Sequence, residues 1–250
     1  MSDPAMHKLG LVMFDLDGTL VATAGEIQDA VNDTLQQFGL PLVAERQVQD
    51  WIGDGTRTLL AHAIAFAAGT SVELVRASDS FETLAAEFAR HYERRCGTRS
   101  RLYPHVREVL GELRRRGVRV AVVTNKEQAF TELVLGQHGL AALLDTVLSG
   151  DTAPAKKPDP AGLRACMAAF GAEPAECLFV GDSSIDVAAA RAAGVRVWAV
   201  GYGYNMGQPI AGAAPDRLLA DLRPLLGLVA AHGVPAQAFA ASAAAVRAGA

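Results

Sequence analysis

Two aspartates separated by one residue head the run Asp15-Leu16-Asp17-Gly18-Thr19-Leu20. On an extended segment two such carboxylates point to opposite sides, whereas a sharp turn at Gly18 lets both approach one centre. An acidic turn with a capping role is the competing account, because Asp-Gly is a common turn dipeptide. Further along, Thr124-Asn125-Lys126 brings hydroxyl and amide donors suited to an oxyanion or a phosphate, a role compatible with capping a helix. Lys156-Lys157-Pro158-Asp159-Pro160 adds cationic side chains, which on their own describe a solvated loop. Gly181-Asp182-Ser183-Ser184-Ile185-Asp186 supplies two more carboxylates, four residues apart. Together the clusters offer carboxylates for a hard divalent cation, donors for a phosphate and a cation to offset negative charge.

Such residues act together only if the fold gathers them. Residues 9–14 form a short apolar run that ends at Asp15, the pattern of a buried strand. Residues 118–123, 177–180 and 195–200 repeat it, and 145–148 is a weaker fifth case. Between them, helical periodicity covers residues 106–116, 128–138, 161–170 and 185–193. Strand and helix alternate in units of roughly 25–30 residues, which predicts an α/β fold: a doubly wound, Rossmann-like core with a mostly parallel sheet. Three of the four clusters then follow the carboxyl ends of predicted strands, where ligands of open α/β sheets bind.

From about Ala24 to Cys96 the pattern is helical only, with apolar faces at Ile27, Ala30, Val31, Leu35 and Phe38, at Leu59, Leu60, Ala63 and Ile64, and at Phe81, Leu84, Phe88 and Tyr92. The expected organisation is a discontinuous core of residues 1–22 and 97–228, an inserted helical cap domain of residues 23–96, and an alanine-rich tail of residues 229–250. Half of the 250 residues are hydrophobic, enough for a sizeable core. Twenty-three basic and 27 acidic side chains are mixed along the chain and leave a net charge of −4. That balance argues against nucleic acid and against an anionic membrane as partner. Three scattered cysteines, Cys96, Cys166 and Cys177, read as reduced thiols, and no leader or membrane-length apolar run is evident, so a cytoplasmic protein is expected. The six histidines have no metal-ligand spacing.

The Asp15-to-Thr19 run, Thr124, Lys157-Pro158 and the Gly181-to-Asp186 run match, in order, the four motifs of the haloacid dehalogenase superfamily. The chain resembles its phosphatase branch, with a helical cap of the type inserted after the first strand, over residues 9 to 228 or so. The resemblance implies that Asp15 is the nucleophile and that Asp17 is the general acid and then the base. It implies Mg²⁺ held by Asp15, the backbone carbonyl of Asp17 and Asp182, with Asp186 in support, directly or through water. Thr124 and Asn125 would hold phosphate oxygens, and Lys157, the lysine that precedes Pro158, would offset their charge.

Within the superfamily, Trp51-Ile52-Gly53-Asp54-Gly55-Thr56-Arg57, Tyr103-Pro104-His105-Val106, Val123-Thr124-Asn125-Lys126 and Gly201-Tyr202-Gly203-Tyr204-Asn205 resemble segments of the bacterial phosphoglycolate phosphatases. The implied partner is a small phosphorylated metabolite, 2-phosphoglycolate first, acted on by a monomer or small homo-oligomer. Gly53 and Gly55 permit a tight cap loop near the core, and Arg57 is either a clamp for the substrate carboxylate or a solvated residue of a first helical turn. Ala22 departs from an acidic residue common in relatives, so a contact near the cap hinge is either absent or replaced by Thr23 or Glu26. The rivals are a phosphatase for another sugar or amino-sugar phosphate and a β-phosphoglucomutase-like phosphomutase. A dehalogenase has no need of Asp17, and a non-catalytic binding module would be expected to lack one of these residues.

Overall fold

The structure is a computed structural model that describes residues 9–229. In chain order its elements are β1 (Leu11–Phe14), β2 (Val21–Ala22), α1 (Ala24–Gln37), α2 (Glu45–Trp51), α3 (Thr56–Ala68), α4 (Val72–Arg76), α5 (Phe81–Arg95), β3 (Arg101–Leu102), α6 (Val106–Arg115), β4 (Arg119–Val123), α7 (Gln128–Gln137), β5 (Thr146–Leu148), α8 (Ala161–Phe170), β6 (Cys177–Gly181), α9 (Ser184–Ala193), β7 (Arg196–Val200) and β8 (Arg217–Leu219), with short 3₁₀ turns between some of them.

Six strands form one sheet in the order β5-β4-β1-β6-β7-β8, and every pairing in it is parallel. The doubly wound α/β class expected from the sequence is the observed one. Strands buried on both faces must be apolar throughout, and β1 is Leu-Val-Met-Phe with all four residues buried. Alternate residues turn to opposite faces. Val12 and Phe14 join Val120, Val122 and Val180 in a cluster closed by Val109, Leu110 and Leu113 of α6. Leu11 and Met13 join Ala121 and Phe179 in another, closed by Leu163 and Cys166 of α8 and Ala189 and Ala190 of α9. Burying one such Leu or Phe contributes about 1.5–3 kcal/mol, so the two clusters hold β1 rigidly at the centre.

The helices α1 to α5 fall between β2 and β3, which pair antiparallel with each other and not with the main sheet. These helices carry a hydrophobic cluster of their own, built on Ile27, Val31 and Leu35 of α1, Leu59 and Leu60 of α3, and Leu84, Phe88 and Tyr92 of α5. Trp51, at the end of α2, stacks on His62 at 6.3 Å and 14°. The other tryptophan, Trp198, is buried on β7 with the guanidinium carbon of Arg217 4.8 Å from its ring centroid.

Sequence periodicity and structure agree on α8 residue for residue and on the other core elements within two residues at each end. It passed over β8, an edge strand of Arg-Leu-Leu, and the two-residue strands β2 and β3, all too short to carry a period. The alanine-rich tail expected from residue 229 lies, apart from Val229, outside the described residues. Cys96, Cys166 and Cys177 are free thiols. Among the described residues no helix is long and apolar enough to cross a membrane.

Candidate active site

At the carboxyl end of β1 the Asp15 amide still bonds to the Val180 carbonyl, 2.9 Å, so the sheet itself fixes this backbone. The chain then turns at Gly18, whose φ is +86°. A Cβ there would lie 2.3 Å from Asp182 Oδ2, so the close approach of the two segments requires glycine. β6 delivers Asp182 from the neighbouring position, and α9 begins at once with Ser183 as its N-cap.

Asp15, Asp182 and Asp186 are all buried and present oxygens within 4.8 Å of one another. Lys157 enters the same space and donates to Asp15 Oδ1 and Asp186 Oδ1, 2.6 Å each. Burial drives the carboxyl of Asp15 up to about 6, against the pull of Lys157 and with a further push from Asp186. Burial also raises Asp182 well above the usual range, with Asp186 and Asp15 adding to the effect. Burial disfavours the charge on Lys157, yet Asp15 and Asp186 outweigh it and hold the ammonium above its ordinary value. Three carboxylates against one ammonium leave an excess of buried negative charge, and the donor set is all hard oxygen. Both properties suit a divalent cation of the Mg²⁺ type.

The three carboxylates differ in what already occupies them. Asp182 accepts from Thr19 Oγ1 at 2.9 Å and from the Tyr204 amide at 2.7 Å. Asp186 Oδ2 accepts from the Asp182 and Ser183 amides and from Ser183 Oγ, at 3.1, 3.0 and 2.7 Å. With Lys157 on its other oxygen, Asp186 has protein donors on both oxygens, as Asp182 does. Asp15 Oδ2 accepts from no side chain or backbone group among the described residues.

Asp17 turns its carboxylate elsewhere. It accepts from Thr23 Oγ1 at 2.8 Å and from Lys126 Nζ at 3.1 and 3.3 Å. Of the two residues considered as replacements for the contact missing at Ala22, Thr23 is the one hydrogen-bonded to Asp17. Lys126 is 2% exposed and also donates to the hydroxyl of Tyr92 on α5, 2.5 Å away. Sequence reasoning stopped at Thr124 and Asn125 and missed this third residue after β4, although it belongs to the same polar run.

Thr124 accepts from the Lys126 amide at 3.3 Å, which leaves its own hydroxyl proton for a ligand. The Asn125 side chain is taken up differently. Its Oδ1 receives the Lys157 amide at 2.7 Å, and its Nδ2 donates to the Lys157 and Gly53 carbonyls at 2.8 and 3.0 Å. Asn125 therefore positions Lys157 and the loop before α3, and only its backbone is open to a phosphate.

The helical side closes the pocket with Ile27, Ile52, Gly53, Gly55, Thr56 and Leu59. Gly55 has φ +85° and ψ 163°, and a Cβ there would lie 2.5 Å from Lys156 Nζ. Thr56 Oγ1 donates to Glu127 Oε2 across the gap, 2.7 Å. Arg57 is not brought to the pocket. It lies half-exposed on the first turn of α3, paired with Glu82 and 5.2 Å from the centroid of Phe81. Of the two readings of Arg57, the geometry is that of the solvated helix residue.

Residues 12–200 match the family model of the haloacid dehalogenase-like hydrolases. The chain is 42% identical over 216 residues to phosphoglycolate phosphatase 1 of Pseudomonas aeruginosa, covering 86% of this chain and 78% of that protein. It is 39% identical over 224 residues to the phosphoglycolate phosphatase of Vibrio vulnificus, covering 89% and 97%. The crystal structure of a predicted phosphoglycolate phosphatase from Haemophilus somnus 129pt matches with a TM-score of 0.83 and 35% identity, over 90% of this chain and 99% of that one.

Proposed function

The chain belongs to the haloacid dehalogenase-like hydrolases, and within that family we propose that it is a Mg²⁺-dependent phosphatase that hydrolyses 2-phosphoglycolate to glycolate and phosphate. The observation that carries this reading is the meeting of Asp15, Lys157, Asp182 and Asp186 at one buried point, with Asp17 beside it. The 38–42% identity to phosphoglycolate phosphatases over most of the chain supports the substrate.

Asp15 is the nucleophile. Its Oδ2, free of protein donors, attacks phosphorus and forms an aspartyl-phosphate as the ester oxygen departs with its bonding pair. Asp17 gives that oxygen a proton and then takes one from the water that cleaves the acyl phosphate, restoring Asp15 and releasing phosphate. Thr124 and the backbone of Asn125 orient phosphate oxygens, while Lys157 stays between Asp15 and Asp186 and offsets their charge. Asp15, Asp182 and the Asp17 carbonyl would hold the cation, with Asp186 in support, directly or through water. When bound, Mg²⁺ supplies positive charge against the transferring phosphoryl group.

The helices of residues 23–96 act as the cap over a core formed, among the described residues, by 9–22 and 97–228. A substrate this small leaves much of the pocket open to water, so the loop at Gly53 and Gly55 must close against the core to exclude it. Asn125, Lys156 and Glu127 on the core face that loop.

The test is kcat/KM for 2-phosphoglycolate beside a panel of small phosphate monoesters, with Mg²⁺ and with a chelator. A preference of about 100-fold, or roughly 2.7 kcal/mol in the transition state, is expected, and it should vanish with the chelator. Flat activity across the panel would remove the substrate from the proposal and keep the chemistry.

A further inference from the structure

The pocket contains a second buried cation to which the mechanism above assigns no role. Lys157 is claimed by Asp15 and Asp186. Lys126 pairs with Asp17, is 2% exposed, and is one of the residues that line the pocket. The helical side brings no charged residue to that wall: its contributions are the apolar Ile27, Ile52 and Leu59, two glycines and Thr56. Arg57, the cation of the loop region, is turned outward to Glu82.

We propose that Lys126 is the specificity-determining residue of this site, its ammonium receiving the carboxylate of the substrate's leaving group. This inference rests on the substrate reading above. In a phosphorylated 2-hydroxy acid the carboxyl carbon is two bonds from the ester oxygen. A group that protonates that oxygen and a group that binds that carboxylate must therefore be neighbours. Asp17 and Lys126 are neighbours, with 3.1 Å between Oδ2 and Nζ. Lys126 Nζ reaches both Asp17 oxygens, at 3.1 and 3.3 Å, and the Tyr92 hydroxyl; with the two Asp17 contacts taken as one forked bond, the third ammonium hydrogen is assigned to the ligand. Removed from water and held from two sides, this ammonium meets a carboxylate with little reorganisation, which is what discrimination between charged and neutral leaving groups demands. A ligand without the carboxylate offers nothing to that third hydrogen, so the site favours the acid over neutral esters.

The experiment compares wild type with Lys126→Met on 2-phosphoglycolate, on 2-hydroxyethyl phosphate, which lacks the carboxylate, and on p-nitrophenyl phosphate, whose leaving group needs no acid. Inhibition by glycolate is measured alongside. For Lys126→Met, kcat/KM on 2-phosphoglycolate is expected to fall about 100-fold or more. On 2-hydroxyethyl phosphate the fall should be tenfold at most, and glycolate inhibition should weaken in step with the larger loss. Equal losses on both alkyl esters would make Lys126 a positioning group for Asp17 and overturn the proposal, as would a wild-type preference that survives the substitution. A wild type that does not distinguish the two alkyl esters would instead overturn the substrate reading on which the proposal rests. Turnover of p-nitrophenyl phosphate reports that the fold and Asp15 are intact. If Lys126→Met fails that control, Lys126→Gln, which keeps donors for Asp17 and Tyr92 without the charge, replaces it under the same criteria.

Discussion

Asp15 and Asp17 are two residues apart and answer to different neighbours, one to Lys157 and the other to Lys126 and Thr23. Asp15→Asn should retain the fold and lose turnover about a thousandfold or more, since the amide cannot form the phosphorylated intermediate; near-normal turnover would dismiss Asp15 as nucleophile. Asp17→Asn should cost much more on alkyl phosphates than on aryl phosphates, because only the alkoxide needs a proton as it leaves, and equal losses would remove Asp17 from that role. The carboxyls also link stability to pH. Folded Asp15 binds its proton up to about pH 6, against 3.8 for the unfolded chain. Between those values the folded state holds more protons, so the cation-free protein loses stability as pH rises through that window. Mg²⁺ bound at these oxygens would reverse the penalty, and its gain in Tm should be larger at about pH 7.5 than at about pH 5 and absent in Asp182→Asn. An equal gain at both values would put the cation elsewhere. The acidic members of this site could be read from the sequence because each follows a recognisable strand. Lys126 was missed because a lysine one position beyond a good phosphate motif looks like any solvated lysine until α5 covers it with Tyr92.

The loop ahead of α3 joins the helical insertion to the pocket, and glycine sets how closely it can come. At φ +85° and ψ 163°, Gly55 occupies backbone space closed to other residues, at a cost of about 1–3 kcal/mol if forced. Gly55→Ala would also drive a methyl against Lys156 and the Asn125 carbonyl. The expected result is a raised KM for 2-phosphoglycolate together with a lower Tm, and unchanged kinetics would show that the loop does not close on the core in this way. Periodicity located the long helices α1, α3 and α5 because each buries a stripe several turns long. It could not reveal α4, five residues long, or the ribbon of β2 and β3, whose two residues each are specified by pairing across the chain and not by any local pattern.

Across the whole molecule, two crossings at residues 21–26 and 96–102 join the helices to the sheet, and Glu26 ties them together. It is fully buried, and its Oε2 accepts from the Gly97 amide at 2.7 Å and the Ser100 amide at 3.0 Å. Burial pushes its carboxyl up, with the Ser100 contacts opposing. Glu26→Ala would strand two amides at about 1–3 kcal/mol each, and urea denaturation should show a loss of that order. A loss below about 0.5 kcal/mol would mean that water or a shifted backbone replaces the carboxylate.

Trp51 lies among the helices and Trp198 lies in the sheet, and they are the only two tryptophans in the chain. The protein therefore carries one intrinsic fluorophore among the helices of the insertion and one on the sheet, and Trp51→Phe or Trp198→Phe leaves one optical reporter for one of them. The helices meet the sheet through a ribbon of two-residue strands, so emission from Trp51 should red-shift at lower denaturant than emission from Trp198. Coincident curves would mean that the two assemblies melt as one cooperative unit.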